Sequence, residues 1–166
     1  MSKNQELKRV VVADIKDKFS RAKCAVLVDY RGLTVAEDTA LRNEFRNAGC
    51  EYEVLKNTMI NLAVEEMGYA EGMRPHLKGP TAVAFSYEDM VAPAKVVKTF
   101  IDKSKKLTIK CGVLDGDFLD DAGVVALAAL PSREVLIAKI MGSMMSAVSK
   151  FVYLVEAIRK QKAGEE

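Results

Sequence analysis

The sequence predicts an α+β protein built on the ferredoxin-like split βαβ arrangement, in which an antiparallel sheet carries helices on one face. Short apolar runs typical of buried strands alternate with segments of helical periodicity, in the order strand, helix, strand, strand, helix, strand. Turn signals separate these runs, among them Gly49, Gly79-Pro80 and Asp115-Gly116. A first helix, a helical insertion after the second strand and a long last helix flank this core. A doubly wound parallel sheet is the alternative that the pattern leaves open.

The amino-terminal segment, residues 2–22, has the pattern of an amphipathic helix. Its basic side chains, Lys8 and Arg9 among them, either lie against phosphate groups or form an ordinary solvated face, and the sequence favours neither. Its apolar row consists of Leu7, Val11, Ile15 and Phe19. The next segment, Cys24–Asp29, is nearly continuous in apolar residues and predicts a central strand.

A capping box opens the second helix, because Thr34 is followed by Glu37 at the spacing that lets the two residues cap each other. Gly49 ends this helix. Residues 51–55 alternate in polarity and predict the second strand. Residues 56–58 then begin the helical insertion, which runs to the next glycine–proline break.

The second half of the domain repeats the strand and helix pattern. Residues 81–85 predict the third strand, and Pro93 fits the first turn of the helix after it, where its missing N–H breaks no hydrogen bond. Residues 107–114 predict the fourth strand, and the Asp-Gly turn that follows returns a brief fifth strand. A short helix over residues 124–130 completes the domain.

The last quarter of the chain predicts one long amphipathic helix over residues 132–162, with Ser132 as its N-cap. Its apolar residues recur at intervals of three and four, the spacing of a coiled-coil seam, and further apolar positions widen that seam. The helix would be roughly 45 Å long, against about 36 Å for the diameter of the preceding domain, so we expect part of it to project. The predicted partner-binding residues are Ile140, Met141, Met144, Met145, Val148, Phe151, Val152, Leu154, Val155 and Ile158.

Other interpretations of this helix remain open. It could fold back onto its own domain, or pair with a second copy, although the stripe is broader than a strict dimeric seam. A membrane span is disfavoured because Lys139, Lys150 and Glu156 interrupt the apolar stretch. Gly142 inside the pattern predicts either a hinge or a place where a partner backbone comes close.

Composition excludes several classes of function. With a formal net charge of +2, the chain has no general basic field, so nucleic-acid binding requires a local patch. Three widely spaced cysteines and a single histidine argue for reduced thiols and against a metal site. The sequence contains no phosphate-binding glycine loop, nucleophile elbow or paired-histidine helix. We therefore predict a protein that is not an enzyme and needs neither metal nor cofactor. The polar, charged amino end predicts that there is no signal peptide, and the reduced thiols predict a cytoplasmic protein.

The predicted topology gathers basic residues at one edge of the sheet. In a split βαβ fold the first two strands end, and the last two begin, at the same edge. A lysine in a loop is more often simply solvated, so the prediction rests on the convergence of several. The aromatic-rich sheet motif that binds single-stranded RNA is missing, which favours recognition of phosphates and shape in folded RNA. The predicted RNA-binding residues are Lys8, Arg9, Arg31, Gly32, Lys56, Asn57, Thr58, Lys78, Gly79, Lys105 and Lys106.

A set of short motifs occurs in order along essentially the whole chain. They are Arg31-Gly32-Leu33-Thr34, Leu41-Arg42, Tyr52-x-Val54-x-Lys56-Asn57-Thr58, Gly79-Pro80-Thr81, Ala92-Pro93-Ala94-Lys95 and Leu130-Pro131-Ser132-Arg133-Glu134. Together they resemble the bacterial large-subunit ribosomal protein L-ten family. The set is far more specific than any one of its members.

The resemblance implies a stalk-base protein of the large ribosomal subunit. Residues 1–131 would bind large-subunit rRNA beside the neighbouring protein L-eleven. Residues 132–166 would carry dimers of the acidic L-seven/L-twelve stalk proteins, two of them by the length of the helix. The assembly would help to recruit translational GTPases, and the free complex could repress its own messenger. The residues alone also leave open a regulatory small-ligand domain that dimerises through its last helix.

Overall fold

The computed structural model describes residues 3–65, 67–104, 106–131 and 133–164, so the predicted N-cap Ser132 and the predicted site residue Lys105 lie outside the described residues. The chain divides into two compact units, Met1–Leu130 and Pro131–Glu166. The second unit contains α7 (Arg133–Ala163). The first unit contains α1 (Lys3–Arg21), β1 (Cys24–Asp29), α2 (Val35–Asn47), β2 (Cys50–Val54), α3 (Asn57–Val64), α4 (Ala70–Met73), a 3-10 turn (Arg74–His76), β3 (Ala82–Ser86), α5 (Ala92–Ser104), β4 (Thr108–Leu114), β5 (Asp117–Asp120) and α6 (Asp121–Ala129).

The strands form one antiparallel sheet in the order β2-β3-β1-β4-β5. The first four follow the split βαβ topology, in which each crossover places its two strands on either side of a third. The prediction of an antiparallel α+β fold is therefore confirmed, and the doubly wound parallel alternative is wrong. The fifth strand pairs with β4 through the Asp115-Gly116 turn, as the sequence predicts.

Helices cover both faces of the sheet. Because side chains alternate along a strand, Val26 and Val28 of β1 face one cluster of buried residues, and Ala25 and Leu27 face another. The first cluster includes residues of α2, α5 and α6, so the two crossover helices lie on one face as predicted. The second cluster includes residues of α1, α3 and α4. The amino-terminal helix and the insertion thus cover the opposite face, a location that the sequence analysis did not assign.

The capping box predicted at α2 is present. The Thr34 amide donates to Glu37 Oε2 over 2.7 Å, and the Glu37 amide donates to Thr34 Oγ1 over 3.3 Å. These two bonds satisfy amide groups that the first turn of a helix leaves without partners. The start of α2 is fixed by its own sequence.

Charged side chains protect the edge strand β2. Lys18 of α1 reaches across to form ion pairs with Glu51 and Glu53, each at 2.7 Å. The hydroxyl of Tyr87 donates to Glu51 Oε2 over 2.6 Å. The hydrogen bond from Lys18 is the largest contribution that lowers the pKa of Glu51. The outer rim of the sheet therefore carries ionised side chains tied to the body of the domain.

A glycine permits the close approach of α6 to the sheet. A Cβ atom on Gly112 of β4 would lie 2.7 Å from Cγ2 of Val124 and 3.4 Å from the carbonyl oxygen of Ala25. Real Cβ atoms do not approach a neighbour as closely as the first distance. The fully buried Val124 occupies the space that a side chain at residue 112 would need.

Candidate nucleic-acid interface and docking helix

Three loops meet where β1 and β2 end and β3 begins. Val28 lies opposite both Ala82 of β3 and Ile109 of β4, and Val54 also lies opposite Ala82. We call the segments beyond this edge, residues 30–33, 55–58 and 77–81, the loop cluster. Its location agrees with the convergence predicted from the topology.

Arg31 is held in the loop cluster by Asp29 at the end of β1. Its Nη2 donates to Asp29 Oδ2 over 2.9 Å, and its Nε and backbone amide donate to the same carboxylate. These hydrogen bonds lower the pKa of Asp29 and raise that of Arg31. The side chain of Arg31 is still 69% exposed. Its guanidinium is therefore fixed in orientation, with donors left over for a further acceptor.

Gly79 joins the first and third of these loops. It has a positive φ of 75°, and a Cβ atom there would lie 3.0 Å from Arg31 Nη2. The Asn57 side chain amide donates to the Gly79 carbonyl over 2.6 Å. Residues far apart in sequence, Arg31, Asn57 and Gly79, are thereby brought together.

A surface groove of about 520 Å³ runs through the loop cluster. Lys56, Thr58 and Gly79 are exposed along it, and Lys78, next to Gly79, is exposed as well. Ammonium, hydroxyl and backbone amide groups of this kind are the usual donors to phosphate oxygens. The groove is lined by Tyr30, Val54, Leu55, Lys56, Asn57, Thr58, Gly79, Pro80 and Thr81.

The remaining predicted RNA-binding residues have other surroundings. Lys106 forms an ion pair with Glu37 at 3.0 Å, at the start of α2. The Thr34 amide and then Lys106 hold the pKa of Glu37 at about 2. Lys8 and Arg9 are exposed on α1 rather than in the loop cluster. Gly32, by contrast, lies in the loop cluster and is exposed next to Arg31.

Sequence reasoning missed Lys110, a half-buried residue of β4. Its Nζ donates to the carbonyl oxygens of Lys78 (2.7 Å) and Pro80 (2.6 Å) and to Thr81 Oγ1 (2.8 Å). Burial lowers the pKa of this ammonium, and Asp29 opposes the change. The one available signal was a lysine in the middle of an otherwise apolar strand, TIKCGVL.

The apolar side chains of α7 are exposed, as the prediction of a docking helix requires. Among the predicted partner-binding residues, exposure runs from 46% at Ile158 to 74% at Met144, while the side chain of Val148 lies outside the described set. A shallow recess of about 380 Å³ is lined by Phe151, Val152, Val155, Glu156 and Arg159. Exposed apolar surface of this extent occurs at interfaces, at binding grooves and at aggregation-prone sites, so the docking role of α7 stays a prediction.

The helix α7 is bent beyond Gly142. Its two halves, Glu134–Ser146 and Ser149–Lys162, make an angle of 45°. Ser143 Oγ donates to the Ile140 carbonyl and Ser146 Oγ to the Ser143 carbonyl, each over 2.7 Å. Hydroxyl bonds of this kind compete with the helical amide for its acceptor and bend helices. The bend lies a turn after Gly142, and hinge motion at Gly142 stays a prediction.

Two absences characterise the part of the chain that the structure describes. No single helix there is long and apolar enough to cross a membrane, and only the two bent halves of α7 taken together meet that length and composition. Within the same residues, no group of three or more His, Cys, Asp or Glu side chains could hold a metal ion.

Comparison with known proteins identifies the chain. The family model described as Ribosomal protein L10 matches residues 3–102, and the model described as Ribosomal protein uL10 C-terminal region matches residues 130–166. The chain is thus a structural protein of the large ribosomal subunit. Proteins named Large ribosomal subunit protein uL10 are similar to it over nearly their whole length. The one from Clostridium tetani is 48% identical over 100% of this chain and 96% of its own, and the one from Clostridioides difficile is 45% identical over 100% and 99%. The chain belongs to the uL10 family.

This membership confirms the resemblance found in the motifs. The chain is a structural constituent of the large subunit of the bacterial ribosome, in the cytoplasm. The family consists of ribosomal structural proteins, so the prediction that the chain is not an enzyme is also confirmed.

Proposed function

We propose that this protein is the scaffold at the base of the ribosomal stalk. The first unit binds large-subunit rRNA through the loop cluster, and α7 carries dimers of acidic stalk proteins. The complex helps to recruit translational GTPases to the ribosome. The observation that carries the proposal is the pairing of a basic loop cluster in one unit with a long exposed apolar helix face in the other.

The loop cluster supports RNA binding through its geometry and charge. Arg31 is oriented by Asp29 and keeps 69% of its side chain exposed. Lys56 lines the groove, Arg31 packs against Gly79 in its wall, and Lys78 is exposed next to Gly79. The walls also offer Asn57 and Thr58. Phosphate contacts from such residues release counterions, which makes binding strongly dependent on salt.

A salt titration of RNA binding tests this part. The full chain is titrated by filter binding with folded fragments that tile the large-subunit rRNA. Lys56→Met is expected to reduce the slope of log K against log salt by about one. The matched control is Lys23→Met, which removes the same charge from an exposed residue just before β1, at the opposite end of that strand. Binding without a salt slope, or an equal effect of both variants, contradicts the proposal.

The composition of α7 supports acidic partners in particular. Its apolar face is flanked by Lys139, Lys150, Arg159 and Lys160, against Glu156 over the same stretch. A partner that covers the apolar residues therefore meets an excess of positive charge at its rim. A partner protein's groove recognises an exposed helix of this type through side chains that are three and four residues apart.

Co-expression with the acidic stalk protein, followed by native mass spectrometry, tests the second part. Two dimers per chain are expected from the length of the helix, and truncation before Gly142 should abolish capture. Phe151→Asp should lose capture, whereas Tyr153→Asp should retain it, because Tyr153 is as exposed (71% against 66%) but lies outside the predicted seam. Capture by the truncated chain, or equal loss in both aspartate variants, contradicts the assignment.

Two finer expectations belong to the same proposal. The rRNA-bound first unit lies beside the protein L-eleven, and the free complex represses its own messenger.

The exposed apolar face of α7 also suits a second copy of the chain. Sedimentation of the purified chain separates the two occupants, because a stable soluble homodimer that pairs through α7 would contradict the assignment of this helix to the stalk proteins.

A further inference from the structure

Residues 78–81 form a turn whose carbonyl groups are bound from within the protein. Lys110 Nζ donates to the Lys78 and Pro80 carbonyls over 2.7 and 2.6 Å, and the Asn57 side-chain amide donates to the Gly79 carbonyl over 2.6 Å. Thr81 Oγ1 accepts the third hydrogen bond of Lys110, at 2.8 Å. All three N–H donors of the ammonium are thereby used, so Lys110 has none left for a phosphate.

These bonds set the direction of the peptide groups in the turn. In a trans peptide the N–H points opposite to the C=O. Because the Lys78 carbonyl points toward Lys110, the Gly79 amide points away from it. The Lys78 and Pro80 carbonyls are thereby gathered on an internal cation, which leaves the Gly79 amide for an anionic ligand.

The same turn bears on Arg31. The guanidinium of Arg31 packs so closely on Gly79 that a Cβ atom there would lie 3.0 Å from Nη2. Movement of the turn would therefore disturb Arg31 as well as the wall of the groove formed by residues 79–81. Lys110 itself is not among the described residues that line the groove.

We propose that Lys110 is a positioning residue for RNA binding: it touches no phosphate, and it fixes the turn at residues 78–81 so that the Gly79 amide and Arg31 are arranged before RNA arrives. This inference rests on the proposed RNA-binding function. Lys110 acts by preorganisation. Because the turn is already ordered in the free protein, RNA binding does not have to meet the entropic cost of ordering it.

The test compares Lys110→Met with Lys56→Met in the full chain, using the tightest-binding rRNA fragment. Lys110→Met should weaken binding by about three- to tenfold, the range expected when one further side chain must be ordered on binding. Its salt slope should equal that of the parent, whereas Lys56→Met lowers the slope by about one. In the free protein, amide hydrogen exchange should accelerate at residues 77–79 and 81 in Lys110→Met and stay unchanged in Lys56→Met.

Thr81→Val is the second variant if Lys110→Met fails to fold. It removes one of the three acceptors of Lys110, together with the long 3.4 Å hydrogen bond from Thr81 Oγ1 to the Gly79 carbonyl, with little change in shape. It should show a smaller loss of affinity with the parent slope. A salt slope lowered as in Lys56→Met makes Lys110 a phosphate contact and overturns the inference, as does unchanged affinity. If the parent chain itself binds no fragment, the proposed function falls. If the parent binds and the Lys110 variant binds equally, only the positioning role falls.

Discussion

The packing of α6 against β4 makes a quantitative prediction about Gly112. A methyl group at this residue would meet Cγ2 of Val124 at 2.7 Å, and Val124 is fully buried. Overpacking of a core costs about 1–3 kcal/mol, and replacing glycine in a strand interior returns about 0.5–1 kcal/mol. Gly112→Ala should therefore lower the free energy of unfolding by about 1 kcal/mol, near the middle of the range of about 0–2.5 kcal/mol that these two effects leave.

The companion variant tests whether that cost comes from Val124. Val124→Ala removes two buried methyl groups and should cost about 2–3 kcal/mol on its own, counting the cavity. In the double variant the new methyl at residue 112 enters the space that Cγ2 has left. The double variant should therefore be at least about 1 kcal/mol more stable than the sum of the two single effects predicts.

Guanidinium unfolding followed by circular dichroism measures the three variants against the parent. The midpoints should shift with an unchanged m value, since the surface exposed on unfolding stays the same. Additive effects would mean that Gly112 and Val124 do not compete for the same space. That result would refute the packing of α6 on the sheet described above.

Three further predictions concern single groups. Thr34→Ala removes the cap of α2 and should lower the free energy of unfolding by about 1 kcal/mol in thermal or denaturant melts. The Thr34 amide and Lys106 hold the pKa of Glu37 at about 2, below its ordinary value of 4.5. The stability advantage of the parent over Glu37→Gln should therefore be complete above about pH 4.5 and disappear as the pH falls toward 2, in melts across that range. Burial raises the pKa of Cys24 and Cys111 to about 12, so iodoacetamide at pH 8 should label these two thiols only after denaturation, as mass spectrometry will show.

Much of the fold followed from local patterns in the sequence. The run Cys24–Asp29 is apolar on both faces because helices cover both sides of β1, and the Asp115-Gly116 turn can only return the chain on itself. The capping box at Thr34 involves neighbours in sequence and was readable for that reason. The face of the sheet that α1 covers could not be predicted. Its apolar row indicates that one side of the helix is buried, but it does not indicate which surface the helix packs against.

The sequence predicted which loops come together at the candidate site, but it did not predict most of the side-chain contacts within it. The topology brings Arg31, Asn57 and Gly79 together, as expected from the strand order. The ion pair of Lys106 with Glu37 joins residues 69 positions apart and depends on tertiary packing. Lys110 was missed because a strand pattern assigns it to a face of the sheet without revealing the carbonyl groups that it binds.

The ion pairs of Lys18 with Glu51 and Glu53 matter before the protein ever reaches a ribosome. A newly made chain outside the ribosome has β2 at an open edge of its sheet, and an exposed edge strand can pair with strands of other molecules. A strand that paired with β2 would lie beside the charged side chains of Lys18, Glu51 and Glu53. The ion-paired carboxylates on the edge strand β2 thus favour a free protein whose sheet edge does not pair with other molecules before its binding surfaces are occupied.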